Sequence, residues 1–338
     1  MRGTEKYFRL FVLFLLSILI IIACSDDEET STEYVGNWIK LSDFEGVTRS
    51  DAIAFTIGDK GYVGSGFDGY ERLSDFWQYD ADRNTWTQKA DFPGEARNGA
   101  VGFGIDNKGY IGTGFNGISR LNDFWQYDAD SNKWERKADF GGSERYGAVG
   151  FSINNKGYIG TGFDGNYLKD FWEYDPGTDT WTQKMSVGGS KRRDAVAFVI
   201  NEKGYVCTGI NNGTYESDFW EYDPSIDMWT KKNSISDATS DDFDDDYTIV
   251  GINRVAFSLS GKGYVATGGQ GSAGIEVWEY DPVTDLWTKK TPFEGSARAD
   301  AVAFCIGDRA YISTGRSSSY YFDDLWTFDP EAEYNSYD

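Results

Sequence analysis

Asp75–Trp86 reads DFWQYDADRNTW, and the chain repeats it. Asp123–Trp134 is DFWQYDADSNKW, Asp170–Trp181 is DFWEYDPGTDTW, Asp218–Trp229 is DFWEYDPSIDMW, and Glu276–Trp287 is the looser EVWEYDPVTDLW. A sixth copy starts at Asp324 as DLWTFDP and carries no second tryptophan. Near the other end stands Trp38, a tryptophan with no copy of its own. The second tryptophan of the unit therefore falls at positions 38, 86, 134, 181, 229 and 287, and the first at 77, 125, 172, 220, 278 and 326, which accounts for all 12 in the sequence. Steps of 47 or 48 residues, with one of 58, mark a repeat architecture in which each unit buries an apolar face against its neighbours.

Four strands can be read within each unit from alternation and turn chemistry. The first is DAIAFTI (Asp51 to Ile57), echoed by GAVGFGI (Gly99 to Ile105), GAVGFSI (Gly147 to Ile153), DAVAFVI (Asp194 to Ile200), NRVAFSL (Asn253 to Leu259) and DAVAFCI (Asp300 to Ile306). One face of this strand is small (Ala52, Ala54) and the other large (Ile53, Phe55), which suits an innermost strand where neighbouring units converge. KGYVGSGF and its copies form the second strand, the DFWQYD piece the third, and the segment with the second tryptophan the fourth.

These units resemble kelch repeats, with glycine closing the second strand, Tyr-Asp in the third and Trp in the fourth. The resemblance covers residues 36 to 330. One departure is that the glycine doublet is literal only at Gly268-Gly269; the first three units have Ser-Gly-Phe or Thr-Gly-Phe instead, as at Ser65 to Phe67. The expected fold is all-β, a six-bladed kelch-type β-propeller of four-stranded antiparallel blades. Its last blade is shared, the strand around Trp38 completing the sheet that begins at Asp300. Such closure removes a free sheet edge.

Residues 1–23 read as a lipoprotein signal peptide. Arg2, Lys6 and Arg9 precede an apolar run, Leu10 to Ile22, too short to span a bilayer as a helix. Ile21, Ile22, Ala23, Cys24 resembles a bacterial lipobox, which implies lipidation of Cys24 and attachment to a membrane by the lipid alone. Ser25 to Glu29 opens an acidic tether expected over 24–35, ahead of the propeller at 36–338, and resembles the export signal of Bacteroidetes-type surface lipoproteins. The expected location is the outer membrane, exposed at the cell surface. Net charge is -23, or about −25 without the signal, which repels phosphate backbones and argues against nucleic acid as a partner. Cys207 and Cys305 fall in strands of different units and read as small buried hydrophobes. A monomer is expected.

Function is sought on the face carrying the loops from strand two to three and from strand four to the next strand one, since loops on a rigid scaffold are the usual place for binding. The two-to-three loops mix Tyr, Asn, Arg and Gly, with Tyr70, Arg120, Tyr167, Tyr215 and Tyr320 as candidate ligand contacts. That mixture suits polar ligands such as sugars and also suits any solvated turn. Arg49, Arg97, Arg145, Arg192 and Arg298 each precede a first strand and stand as candidates at the channel mouth. Two readings apply: capture of an anion by bidentate bonds, or internal pairing with Asp75, Asp123, Asp170, Asp218 and Asp324. In the fifth unit Gly251 and Glu276 replace both partners, and this joint loss favours pairing. The same unit has Arg254 where the others have alanine, a further candidate for ligand binding. Asp241, Asp242, Asp244, Asp245 and Asp246, in the long segment at 237–250, form a weak Ca²⁺ candidate without a known loop spacing and read mainly as a solvated acidic loop.

The chain has no histidine, which removes Ser-His and Cys-His nucleophiles, a histidine base and the usual copper or zinc sites. A copper radical oxidase of the galactose oxidase type is excluded on that ground. No cofactor and no catalytic residue is expected. The leading reading is a surface-anchored, non-catalytic module for a glycan or protein ligand. Resemblance to bacterial six-bladed kelch proteins that mutarotate sialic acid gives the enzymatic alternative, and an envelope scaffold without a small ligand gives the third.

Overall fold

The structure, a computed structural model, describes residues 34–337; the expected signal peptide at 1–23, Cys24 and most of the expected tether at 24–35 lie outside the described residues. Every regular element among the described residues is a β-strand, and the large sheets are six four-stranded antiparallel blades. Blade 1 is Ile53–Ile57, Lys60–Gly64, Phe76–Asp80 and Thr85–Gln88, in that spatial order from the centre outward. Blades 2, 3, 4 and 5 repeat the plan with innermost strands Val101–Ile105, Val149–Ile153, Val196–Ile200 and Val255–Leu259. Each innermost strand touches those of the blades before and after it, and blade 6 returns to blade 1, so the ring is closed.

Blade 6 is assembled from both ends of the chain. Val302–Ile306, Arg309–Ser313 and Leu325–Glu333 are completed by Val35–Lys40, and Trp38 pairs with Phe328. Trp38 is fully buried, stacks on Phe328 with centroids 4.5 Å apart and donates its indole N–H to the Thr291 carbonyl. In the other blades the partner of this tryptophan is a tyrosine, as in Tyr79 opposite Trp86. The tyrosine hydroxyl bonds an Asn or Asp in the turn to strand four: Asn84, Asn132, Asp179, Asp227 and Asp285. Those turn residues also accept a backbone N–H from the neighbouring blade, for example Ala90 onto Asn132. Blade 6 has no such turn, because its fourth strand comes from elsewhere in the chain, and it carries Phe328 without the hydroxyl.

Packing between blades explains the large and small faces of the first strand. Its phenylalanine lies against the glycine that opens the second strand of the next blade: Phe304 on Gly61, Phe55 on Gly109, Phe103 on Gly157, Phe151 on Gly204 and Phe198 on Gly263. A Cβ at Gly61 or Gly109 would sit 2.2 Å from the ring. The second tryptophans complete the same contacts, with Trp134 edge-on to Phe76 of blade 1 at 5.0 Å and Trp181 likewise to Phe124. Each aromatic pair adds about 0.5–1.5 kcal/mol beyond its buried area. Small residues face the central channel, including Ala52, Ala100, Gly102, Ala148 and Ala301.

Two expectations need revision. The first strands begin two residues later than the motifs suggest, because Asp51 and its five counterparts hold positive φ and turn the chain into the strand. The segment at 237–250 is only half solvated. Tyr247, Ile249 and Val250 are buried against Trp278 and Trp287, and the Tyr247 hydroxyl accepts the Trp287 N–H at 2.7 Å.

Candidate functional site

Five arginines enter from the four-to-one loops and turn into their own blades. Arg97 gives Nη1 and Nη2 to the two oxygens of Asp123 at 2.6 and 2.8 Å, a further bond to the Thr113 carbonyl at 2.9 Å, and Nε to the Glu95 carbonyl. Arg49 with Asp75, Arg145 with Asp170 and Arg298 with Asp324 repeat this fork, and Arg192 meets Asp218 through Nη2. All five side chains are 0% exposed. A tryptophan N–H, such as that of Trp125, caps each aspartate. Burial raises the Asp75 pKa, but the Arg49 bonds outweigh it and hold the carboxyl below the usual range; Asp123, Asp170 and Asp324 follow the same balance. Of the two readings of these arginines, the geometry is that of internal pairing, and the guanidiniums are not presented to the channel.

Blade 5 rebuilds the pairing from another position. Arg254 donates Nη1 to the Thr267 carbonyl at 2.8 Å, the counterpart of the Arg97 bond to Thr113, and Nη2 to the Thr248 carbonyl at 2.9 Å. Glu276 lies 3.7 Å away and is itself held by the Thr248 hydroxyl. Arg254 is thus a buried substitute for the arginine that Gly251 displaced, although it also borders the channel mouth and its Nε has no partner among the described residues.

What the mouth does present is a ring of six residues: Asp51, Gly99, Gly147, Asp194, Asn253 and Asp300. All have φ between 54° and 62°. Five backbone bonds link them in sequence around the axis, from Asp300 N onto Asn253 O, Asp51 N onto Asp300 O, and so on to Asp194 N onto Gly147 O. Only the joint from Asp194 to Asn253, beside the long insertion, lacks this bond among the described residues. Three carboxyl groups crowd this ring. Asn98 donates to Asp51, Arg193 pairs with Asp194, and Arg316 Nε bonds Asp300 at 2.9 Å. Burial and then the Asp300 charge push Asp51 up, burial raises Asp300 against the pull of Arg316, and burial lifts Asp194 to about 6. Sequence reasoning treated these residues only as strand openings. Their signal was composition: every member is Asp, Asn or Gly, the types that tolerate a left-handed backbone.

Around the ring, the two-to-three loops meet in six grooves, four of them plugged. Arg72 lies over Phe67 and Phe115 and fills the groove between blades 1 and 2, while Arg120 over Phe163 fills the next. Tyr215 reaches toward Gly271 between blades 4 and 5, and Tyr321 packs on Gly69 and Phe67 between blades 6 and 1. The groove between blades 5 and 6 is open, with a volume of about 590 Å³. Gly269, Gly271, Ser272 and Ala273 supply no bulk on one wall, while Arg316, Ser317 and Ser318 form the other. The groove between blades 3 and 4 is open as well, at about 360 Å³. Of the loop contacts named from sequence, Arg120 and Tyr215 are plugs, Tyr167 borders the blade 3/4 groove, Tyr320 borders a hollow next to the blade 5/6 groove, and Tyr70 is 93% exposed at a loop tip.

The acidic insertion does not gather the five aspartates expected. Asp244 and Asp245 approach Asp237 instead. Asp244 is buried and already accepts the Ala238 and Thr239 N–H groups and the Thr239 hydroxyl. Its role is to fold the loop, and Asp246 pairs with Lys289.

Residues 145–188 match the family model described as the Kelch motif. No curated protein matches the chain. Among solved structures it resembles one titled "Structure of YjhT", at 17% identity and a TM-score of 0.71, over 84% of this chain and 95% of that one. At that identity the likeness shows the fold. The chain carries a Kelch motif within a six-bladed β-propeller, an architecture that presents loops for binding.

Proposed function

We propose that this propeller is a surface-anchored module that binds a polar ligand of the glycan class in the groove between blades 5 and 6, next to the channel mouth. The observation that carries the reading is Arg316. Its Nε is fixed by Asp300, which orients the guanidinium, and its Nη atoms have no hydrogen-bond acceptor among the described residues and border an open groove of about 590 Å³. That volume is in the range of small-ligand pockets, and the wall sets the hydroxyls of Ser272, Ser317 and Ser318 beside the small apolar surfaces of Ile252, Ala273, Ala297 and Ala299, a mixture that suits a sugar. Saccharide screening by thermal shift tests the proposal, with Arg316→Ala as the matched variant. A ligand that stabilises the native protein and not the variant supports it; a complete panel without a shift, together with capture of a protein on this face, overturns it in favour of a protein ligand. Without either, the envelope scaffold stands. The anchor belongs to the same proposal: Cys24→Ala is expected to move the protein from the membrane to the soluble fraction, and retention at the membrane overturns it.

A second reading has its own observation. Mutarotation breaks the bond from the anomeric carbon to the ring oxygen, which gains a proton as the anomeric hydroxyl loses one. The reverse transfers close the open-chain carbonyl form on its other face, so the reaction needs groups that titrate near neutrality. Asp194, at about 6, and the raised Asp51 meet that need at the channel mouth. Anomeric exchange of sialic acid followed by NMR separates this reading from binding alone. A rate unchanged by the protein removes the enzyme, and a rate enhancement lost in Asp194→Asn establishes it.

A further inference from the structure

We infer that the groove between blades 3 and 4 is a second saccharide-binding site, separate from the one between blades 5 and 6. The argument starts from one position in the two-to-three loops. In blades 1 and 2 an isolated bridge sets Arg72 opposite Phe67 and Arg120 opposite Phe115. Each arginine then crosses to the phenylalanine of the next blade and fills the space between the two loops. In blade 3 the loop is FDGNYLK, one residue shorter, and the position opposite Phe163 is Tyr167. Its ring packs edge-on against Phe163 at 5.1 Å, and its hydroxyl meets Arg193 at the base of blade 4 rather than crossing between the two loops. Blade 4 offers no aromatic partner to cross to, since Ile210 stands where blades 1, 2 and 3 have phenylalanine. Its loop folds instead as a two-stranded hairpin, Ile210–Asn211 with Thr214–Tyr215. The groove is left open by these two changes together.

The lining of the opened groove has the composition a sugar requires. Tyr167 and Phe163 supply apolar ring surface on one side. Asn166, Asn211 and Asn212 supply amides, each able to donate and accept, and Lys191 adds a cationic donor. Asn166 and Asn212 are exposed and Tyr167 and Asn211 partly so, which leaves them accessible without movement of the backbone. A saccharide presents axial C–H faces to aromatic rings and hydroxyls to amides, and a mixed wall of this kind holds both. The site also touches the channel ring, because Arg193, which pairs with Asp194, lies over Tyr146 and Phe163.

The test uses the full chain and neutral hexasaccharides with β-glucan, xylan and mannan linkages, titrated by calorimetry. At least one is expected to bind, and Tyr167→Ala is expected to lower its affinity at least about tenfold. Because loss of the ring disturbs Phe163, Asn211→Ala provides a second variant that leaves the aromatic pair in place, with an expected loss of about threefold or more. Tyr167→Arg replaces the ring by the residue found at this position in blades 1 and 2, and is expected to lower the affinity at least as far as Tyr167→Ala in a fully folded protein. Absence of binding by all of the hexasaccharides overturns the inference. So does a saccharide whose affinity is unchanged in Tyr167→Ala and Tyr167→Arg; if that affinity disappears in Arg316→Ala, the ligand sits between blades 5 and 6, and the first proposal stands while this one fails.

Discussion

Blades 2 and 5 solve one problem in two ways. In blade 2, Arg97 reaches down from the loop before the first strand, bonds the carbonyl that ends the second strand and grips Asp123 in a fork. In blade 5 the guanidinium arrives from Arg254, inside the turn that starts the first strand, and bonds the equivalent carbonyl of Thr267. The carboxylate partner is then a glutamate at 3.7 Å whose side chain is 43% exposed, against 19% for Asp123. The joint demands a buried guanidinium on the end of strand two, and the register from which it comes is secondary. A half-solvated carboxylate suffices once Thr248 supplies a second carbonyl.

That difference can be broken in a definite order. Arg97→Ala leaves Asp123 as an uncompensated, largely buried charge and is expected to cost about 3–5 kcal/mol in chemical denaturation. Moving the arginine of blade 5 back to its ordinary place, as Gly251→Arg with Arg254→Ala, is expected to cost about 2–3 kcal/mol rather than to repair the blade. A Cβ at Gly251 would stand 2.7 Å from the Gly269 backbone, so the loop of blade 5 has closed over that site. Arg254→Ala alone is expected to cost about 1–2 kcal/mol, because Glu276 can turn to water once its partner is gone. Equal losses from Arg97→Ala and Arg254→Ala, within error, remove the contrast.

The mouth ring gives a smaller and pH-dependent effect. Asp51, Asp194 and Asp300 have folded pKa values above the ordinary carboxylate value, so the folded state holds more protons than the unfolded one between about pH 4 and their raised values. The stability they contribute is fully present below about pH 4 and is lost as pH rises through about 6 for Asp194 and beyond that for Asp51. Asp51→Asn keeps an acceptor for Asn98 and removes one charge. Its melting temperature is expected to exceed that of the native protein by about 2 °C or more at pH 8 and to match it at pH 4. The smallest effect is that of Tyr127→Phe, which copies Phe328 of blade 6 into blade 2. Losing the bond to Asn132 costs about 1 kcal/mol, whereas the equivalent hydroxyl added as Phe328→Tyr finds no turn residue to meet and brings no gain.

Much of this fold is legible because it is written six times. A twelve-tryptophan register fixed the blade count, and the displaced Trp38 fixed where the ring closes. Pairing of Arg49 with Asp75 and its copies was readable from the one blade that lost both members. What that reading missed is that loss from a register is not loss from space: Arg254 lies three residues from the vacated position and a side chain of its length covers the gap. The channel ring escaped notice because Asp, Asn and Gly share a backbone property rather than a chemical one. The two open grooves were hidden for another reason. Each exists through what is absent from it, an arginine in blade 3 and bulk in the Gly269–Ala273 loop of blade 5, and a loop's composition does not show which neighbour it fails to reach.

Closure by Val35–Lys40 also sets the order in which the molecule can be made. Trp38 and Phe328 pair only after the whole chain between them exists, so Val35–Lys40 waits for a partner strand made nearly three hundred residues later. Contacts this distant in sequence are slow to form, which puts ring closure among the late steps of folding. During that interval the nine-residue strand Leu325–Glu333 is an open edge, complementary to the Val35–Lys40 segment of any second copy. A chain that takes this strand from a neighbour instead of from itself is a strand-swapped assembly, and dilution during refolding favours the self-clasped ring.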